Sequence, residues 1–184
     1  MICLEGNVEG LRTSELLIII PAYNESGNIE KTIKMIEDHT PEFDYVIIND
    51  CSTDHTLEIC KKNHFNVIDL PINLGIGGAV QTGYQYAVQE GYQYAVQVDG
   101  DGQHNPEFIK NMLRVLQEQE VNMVIGSRFI ENQGFQSSFL RRIGITFFEK
   151  LIKILTGQKV TDPTSGLRLI GRRTIEQFAK KYPK

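Results

Sequence analysis

Five short aliphatic runs, separated by longer amphipathic stretches, set the narrowest limit on what this chain can fold into. The runs cover residues 16–20, 45–48, 66–70, 94–98 and 122–125. Each has the length and β-branched content of a strand. Between them, Ile29, Ile33 and Ile36 fall on one face at helical spacing, and Leu57, Ile59 and Cys60 mark a second helix. Ala79, Val80, Gly83, Ala87 and Val88 line a third, and Phe108, Met112, Leu113, Val115 and Leu116 a fourth. Such alternation predicts an α/β fold, a mostly parallel central sheet with helices on both faces. The 184 residues suffice for one buried core. Residues 1–14 read as a loosely ordered leader and 15–184 as a single domain.

Composition removes several function classes. The net charge of -4 gives no reason to expect nucleic-acid binding. The aliphatic run at 16–20 is too short to span a bilayer, and the N-terminus lacks the layout of a secretory signal. Cys3, Cys51 and Cys60 are odd in number and carry no metal-type spacing, so free thiols in a reducing cytoplasm are expected.

The heptapeptide Gly83-Tyr-Gln-Tyr-Ala-Val-Gln89 recurs letter for letter as Gly91-Tyr-Gln-Tyr-Ala-Val-Gln97. The first copy continues a helical pattern from Ala79. The second alternates Tyr92, Tyr94, Val96 and Val98 on one face and reads as a strand. Context is thus expected to override identical local propensity. Residues 139–155 form a strongly apolar helical pattern decorated by Arg141, Arg142, Lys150 and Lys153. An ordinary packed helix is the main expectation; peripheral contact with the inner face of a membrane is the alternative.

In an open parallel sheet, ligands bind at the carboxyl ends of the strands. Small, polar and acidic residues sit at those ends here: Pro21-Ala-Tyr-Asn-Glu-Ser26, Asn49-Asp-Cys-Ser-Thr-Asp54, Asn73-Leu-Gly-Ile-Gly-Gly78 and Asp99-Gly-Asp-Gly-Gln103. Asp99 and Asp101 bring two negative charges together around Gly100, which favours a cation. Mg2+ or Mn2+ prefers such oxygens and shares them with substrate phosphates, and Gln103 adds a neutral oxygen. An isolated Asp-Gly turn would be a solvated loop; behind a buried strand, with three other loops converging, the metal reading is favoured. Tyr23 offers a flat face to a nucleobase, and Asp50 can accept from a base N–H. Ser52 or Thr53 is expected to cap the second helix, leaving Asp50 free. The glycines up to Gly78 allow close approach to phosphate or sugar. Arg128 and Arg168 suit phosphate, with surface ion pairs as the plain alternative. Asp162 is a candidate general base or an Asp-Pro turn.

Taken in order, these motifs, with Gly126-Ser-Arg128 and Thr161-Asp-Pro-Thr-Ser-Gly-Leu-Arg168, resemble the family-2 glycosyltransferases of the GT-A (nucleotide-diphospho-sugar transferase) Rossmann-like fold. The branch they resemble contains dolichyl-phosphate mannose synthases and polyprenyl-phosphate glycosyltransferases. The resemblance runs from about Leu16 to the end of the sequence. It implies inverting, metal-dependent sugar transfer from a UDP- or GDP-sugar to a polyprenyl phosphate or cell-envelope glycan. By that resemblance Pro21, Ala22, Tyr23, Glu25 and Asp50 hold the nucleoside, with Gly78 and Gly100 nearby. Asp99, Asp101 and Gln103 hold Mg2+ or Mn2+, and Arg128, Arg142, Ser165 and Arg168 clamp an acceptor phosphate. Two positions depart from the pattern: Asn49 stands where the family usually has Asp, and Ile145-Thr146 where lipid-phosphate relatives often have Ser-Arg. The sequence stops soon after Arg168, so a C-terminally truncated catalytic domain is expected. The alternatives are a nucleotidyltransferase on the same fold and a non-catalytic nucleotide-sugar-binding module. The former is disfavoured because Pro21-Ala-Tyr-Asn-Glu-Ser-Gly27 carries no basic residue.

Overall fold

A computed structural model of the protein describes residues 14–100, 106–126 and 166–182. All five anticipated strands form: β1 (Leu16–Ala22), β2 (Asp44–Asn49), β3 (Val67–Asp69), β4 (Tyr94–Gln97) and β5 (Met123–Ile125). So do the four anticipated helices: α1 (Ile29–His39), α2 (Thr56–Lys62), α3 (Gly75–Glu90) and α4 (Phe108–Glu118). Near the end the chain adds β6 (Arg168–Gly171) and a further helix, α5 (Arg172–Lys180), neither of which the sequence reading separated out.

The sheet runs β3-β2-β1-β4-β6-β5. Strands β1 to β4 pair in parallel, whereas β6 is antiparallel to both β4 and β5. Every residue of β1 is buried, which is why it reads as an unbroken apolar run: a central parallel strand meets helices on both faces. Leu16, Ile18 and Ile20 pack with Ile33 and Ile36 of α1 and Ile109 and Met112 of α4. Leu17 and Ile19 point the other way, toward Val80, Tyr84 and Ala87 of α3 and Ile175 of α5. Pro21 falls beyond the last β1–β4 pair, Ile19 with Gln97, so its missing N–H interrupts no bond on that side.

The two heptapeptide copies fold as expected, the first within α3 and the second into β4. Their glycines serve different ends. Gly91 stops α3 in a left-handed conformation, φ 75°, which glycine adopts without a Cβ penalty. Gly83 lets α3 settle directly on β1: a Cβ there would lie 3.1 Å from both Ile19 Cγ1 and Cδ1, and closer still to Cγ2. One detail differs from the sequence expectation. Tyr94, Val96 and Val98 share a layer, but Tyr92 turns to the α3/α5 side and donates its hydroxyl to Asp44 (2.9 Å). The strand begins only at Tyr94, so the period-2 alternation does not extend back across the Gly91 turn.

Helix α5 is fastened to α3. Gln81 and Gln85 both donate from Nε2 to the Ala179 carbonyl, each at 3.2 Å. Tyr84, Phe178 and Tyr182 form a ring cluster with centroids 5.2–5.7 Å apart.

Candidate active site

The carboxyl ends of β1, β2 and β4 open onto one cavity of about 430 Å³, together with the start of α3. Its walls are Pro21, Ala22, Tyr23, Glu25, Asp50, Asn73, Gly75, Ile76, Ala79, Asp99 and Gly100. Seven of the sequence candidates therefore meet in one place: Pro21, Ala22, Tyr23, Glu25, Asp50, Asp99 and Gly100. Gly78 lies outside the lining, tucked against the Leu74 side chain. Arg168 stands at the start of β6, paired in register with Gln97. Asp101, Gln103, Arg128, Arg142, Asp162 and Ser165, and the 139–155 segment, lie outside the described residues.

Two loops carry the nucleoside-side candidates, and they are stitched to each other. The Asn24 amide donates to Ser52 Oγ (3.0 Å), and its Oδ1 accepts from the Thr53 amide (2.8 Å). The Glu25 amide donates to Thr56 Oγ1 (2.8 Å) and the Ser26 amide to Asp54 Oδ2 (3.1 Å). Ser52 and Thr53 are thus engaged by the neighbouring loop instead of capping α2, and it is Asp54 that accepts from the Thr56 amide (3.0 Å). Asn24 and Cys51 both take left-handed backbone conformations, φ 57° and 56°. Held strain of this kind is common at ligand clamps. It leaves the Tyr23 ring 48% exposed at the cavity rim, available to a planar partner.

Asp54 ties this clasp to pH. Burial resists its ionisation, but hydrogen bonds from Thr56 and Ser26 outweigh that and hold its carboxyl well below the usual carboxylate range. A depressed folded pKa contributes stability above the unfolded value near 4, and that stability is lost as pH falls toward the folded pKa. Asp54→Asn is therefore expected to cost about 1 kcal/mol at pH 7. The gap from the parent should narrow between pH 4 and pH 2 in urea melts. A gap independent of pH would contradict the assignment.

Asp50 is 3% exposed and is not free, contrary to the sequence expectation. Its Oδ1 accepts the Leu74 amide (2.7 Å) at the entrance to α3, and its carbonyl accepts from Asn73 Nδ2 (3.2 Å). This one side chain fixes the β3–α3 connection against β2. Its neighbour Asn49 donates to Asp69 Oδ1 (2.6 Å). An aspartate at 49 would set two carboxylates against each other, which accounts physically for the neutral residue there.

On the β4 side, Asp99 receives the Gln97 amide at Oδ1 (3.1 Å). The Gly100 carbonyl accepts from Thr32 Oγ1 of α1 (3.0 Å), a buried bond that anchors the turn. The described lining holds three carboxylates, Glu25, Asp50 and Asp99, and neither lysine nor arginine. On these described residues alone the wall is acidic, and positive charge accompanying an anionic ligand would offset the repulsion. Among the described residues no three His, Cys, Asp or Glu side chains are close enough to share an ion. The sequence reading did not name Asn73, Gly75, Ile76 or Ala79 individually as wall residues. Their signal was the glycine-rich segment after β3, taken for a loop; the structure makes Gly75 the first residue of α3, with φ 73°.

A mostly parallel sheet whose acidic strand ends border one cavity defines an α/β domain with a ligand site at the carboxyl edge. The chain belongs to glycosyl transferase family 2, whose model matches residues 17–178. Among curated relatives, it is 29% identical to the UDP-N-acetylglucosamine–dolichyl-phosphate N-acetylglucosaminyltransferase of Methanococcus voltae, over 90% of this chain and 73% of the relative. It is 30% identical to the undecaprenyl-phosphate mannosyltransferase of Micrococcus luteus, over 87% and 68%. These relatives place it in the polyprenyl-phosphate branch of the family. Glucosyl-3-phosphoglycerate synthase of Mycobacterium tuberculosis shares the fold at a TM-score of 0.64 and 20% identity, over 86% of this chain and 57% of that one. The S. aureus TarS structure with UDP matches at 25% identity and a TM-score of 0.53, over 67% and 38%. The chain thus spans about two thirds of these two curated relatives and a smaller share of the solved chains. The architecture is the GT-A glycosyltransferase fold, and family membership sets aside the nucleotidyltransferase alternative.

Proposed function

We propose that this domain transfers a sugar, with inversion, from a nucleoside-diphosphate sugar to a polyprenyl phosphate at the cytoplasmic face of a membrane. The observation that carries the reading is the convergence of Tyr23, Glu25, Asp50 and Asp99 on one cavity at the strand ends. The names of the relatives support the acceptor class. Mn2+ and UDP in one solved neighbour support the donor side. Among the described residues no helix is long and apolar enough to cross a membrane; the basic and apolar 139–155 segment is the candidate for contact with the membrane surface.

In this reading Tyr23 stacks on the base and Asp50 accepts from a base N–H. Asp99, with Asp101 and Gln103, would hold Mg2+ or Mn2+ against the diphosphate. When bound, the metal offsets the charge that builds on the departing diphosphate. An oxygen of the acceptor phosphate attacks the anomeric carbon from the face opposite the diphosphate; the bond to the diphosphate breaks as the new one forms. A phosphate acceptor is already anionic, so deprotonation by Asp162 is needed only for a hydroxyl acceptor. Arg128, Arg142 and Arg168, with Ser165, would neutralise and orient that phosphate.

A thermal-shift screen of UDP-, GDP- and dTDP-sugars with and without Mn2+ tests the donor side. One base is expected to stabilise selectively, and only with metal; saturation at a hundredfold Kd is worth about 2.7 kcal/mol. For a domain of this size that raises Tm by roughly 5–10 °C. Equal shifts for all three, or shifts indifferent to Mn2+, would sink the reading. Donor binding without transfer to polyprenyl phosphate would favour the binding-module alternative.

A further inference from the structure

Two residues outside the cavity lining converge on Asp99. Gln97 is 6% exposed at the end of β4, and its Nε2 reaches Asp99 Oδ1 at 3.1 Å. Gly166 approaches from the opposite end of the sequence, two residues before β6. A Cβ built on Gly166 would lie 2.6 Å from Asp99 Cγ and 2.7 Å from Oδ1, and nearer still to Oδ2. A side chain at 166 would displace the Asp99 carboxylate, so the carboxylate and the Gly166 backbone are in direct apposition.

We propose that Gln97 and Gly166 are positioning residues for Asp99, fixing the carboxylate that the cavity presents to a divalent cation. The proposal rests on the metal reading given above and adds the residues that set the ligand's orientation. The amide of Gln97 fixes Oδ1 from one side, and its own place is set by strand pairing with Arg168. Gly166 bounds the carboxylate from the other side by having no side chain. Gly166, two residues before Arg168, thereby abuts this carboxylate, so a shift of either is felt by the other.

The test uses the full chain, Mn2+ as probe with and without UDP, and the electron paramagnetic resonance signal of free Mn2+ as readout. Gly166→Ala and Gln97→Ala are each expected to weaken Mn2+ binding by about tenfold or more. Gly166→Ala should also lower Tm, and Asp99→Ala in the same chain should restore it by removing the atoms that the new methyl meets. That rescue separates displacement of Asp99 from general damage. If the parent binds Mn2+ and both variants match it within a factor of two, the positioning role is refuted and the metal reading stands. Failure of Asp99→Ala to rescue Gly166→Ala refutes it equally. A parent that takes up no Mn2+ with UDP present overturns the metal reading and this inference together.

Discussion

Asp99→Ala should abolish Mn2+-dependent binding of a nucleoside diphosphate and leave the fold standing. The side chain stands two residues past the end of β4 and sits at the cavity wall, outside both hydrophobic layers. On the proposed reading its loss removes a charged oxygen ligand, and the other acidic wall residues, Glu25 and Asp50, come from different loops. Asp50 is already committed to the Leu74 amide and cannot swing across to compensate. Ligand loss should cost at least about a hundredfold in metal affinity, beyond the usual cost of removing an outer-shell partner. Calorimetry with UDP should show no enhancement by Mn2+ in the variant, whose affinity with metal stays no greater than that of the parent without it. Equal Mn2+ enhancement in parent and variant would remove Asp99 from the metal set.

The largest stability effect is expected at Gly83. Its missing side chain is what brings α3 onto the centre of β1, against an Ile19 that is fully buried and branched at Cβ. Alanine would gain about 1 kcal/mol of helix propensity, but its methyl would collide with Ile19 Cγ2. Valine adds two more carbons and a stiff χ1. Overpacking at such a place costs about 3 kcal/mol, so Gly83→Val should lower Tm by roughly 6–12 °C in a thermal melt. The matching glycine of the other copy should behave differently. Gly91→Ala meets backbone strain at φ 75°, worth about 1 kcal/mol, and smaller Ile19 variants should not relieve it. Ile19→Val should partly rescue Gly83→Ala and leave Gly91→Ala unaltered. The opposite pattern would mean that the two glycines had been assigned the wrong tasks.

These contrasts show why some of the molecule could be read from its letters. Buried parallel strands are written as continuous apolar runs, which makes β1, β2 and β4 visible; the half-buried β3 and β5 show through short β-branched runs. Strand β6 offers only Leu169 and Ile170 between charged and small residues, too little for periodicity to register. Pairing antiparallel with both β4 and β5 is what makes it a strand. The cavity wall was legible at Tyr23, Asp50 and Asp99 because ligands gather at the ends of parallel strands. What escaped depended on contacts between distant segments: the grip of Asp50 on Leu74, the clasp of Asn24 on Thr53, and the apposition of Gly166 to Asp99. Gln89 and Gln97 end the same heptapeptide, yet one is exposed on a helix and the other is buried against a carboxylate. No local reading separates them.

The placement of β6 also gives the site a timetable. Strand β4 lies between β1, made early in synthesis, and β6, made near the end of this sequence. At about 5–20 residues per second, Arg168 leaves the ribosomal active centre roughly 4–14 s after its partner Gln97. Until then β4 has one neighbour, and nothing from the far end of the sequence bears on Asp99. A nascent chain can therefore join residues 24–26 to 52–56 well before Gly166 can bound the Asp99 carboxylate. The order of translation thus separates closing the clasp between the first two loops from seating Asp99.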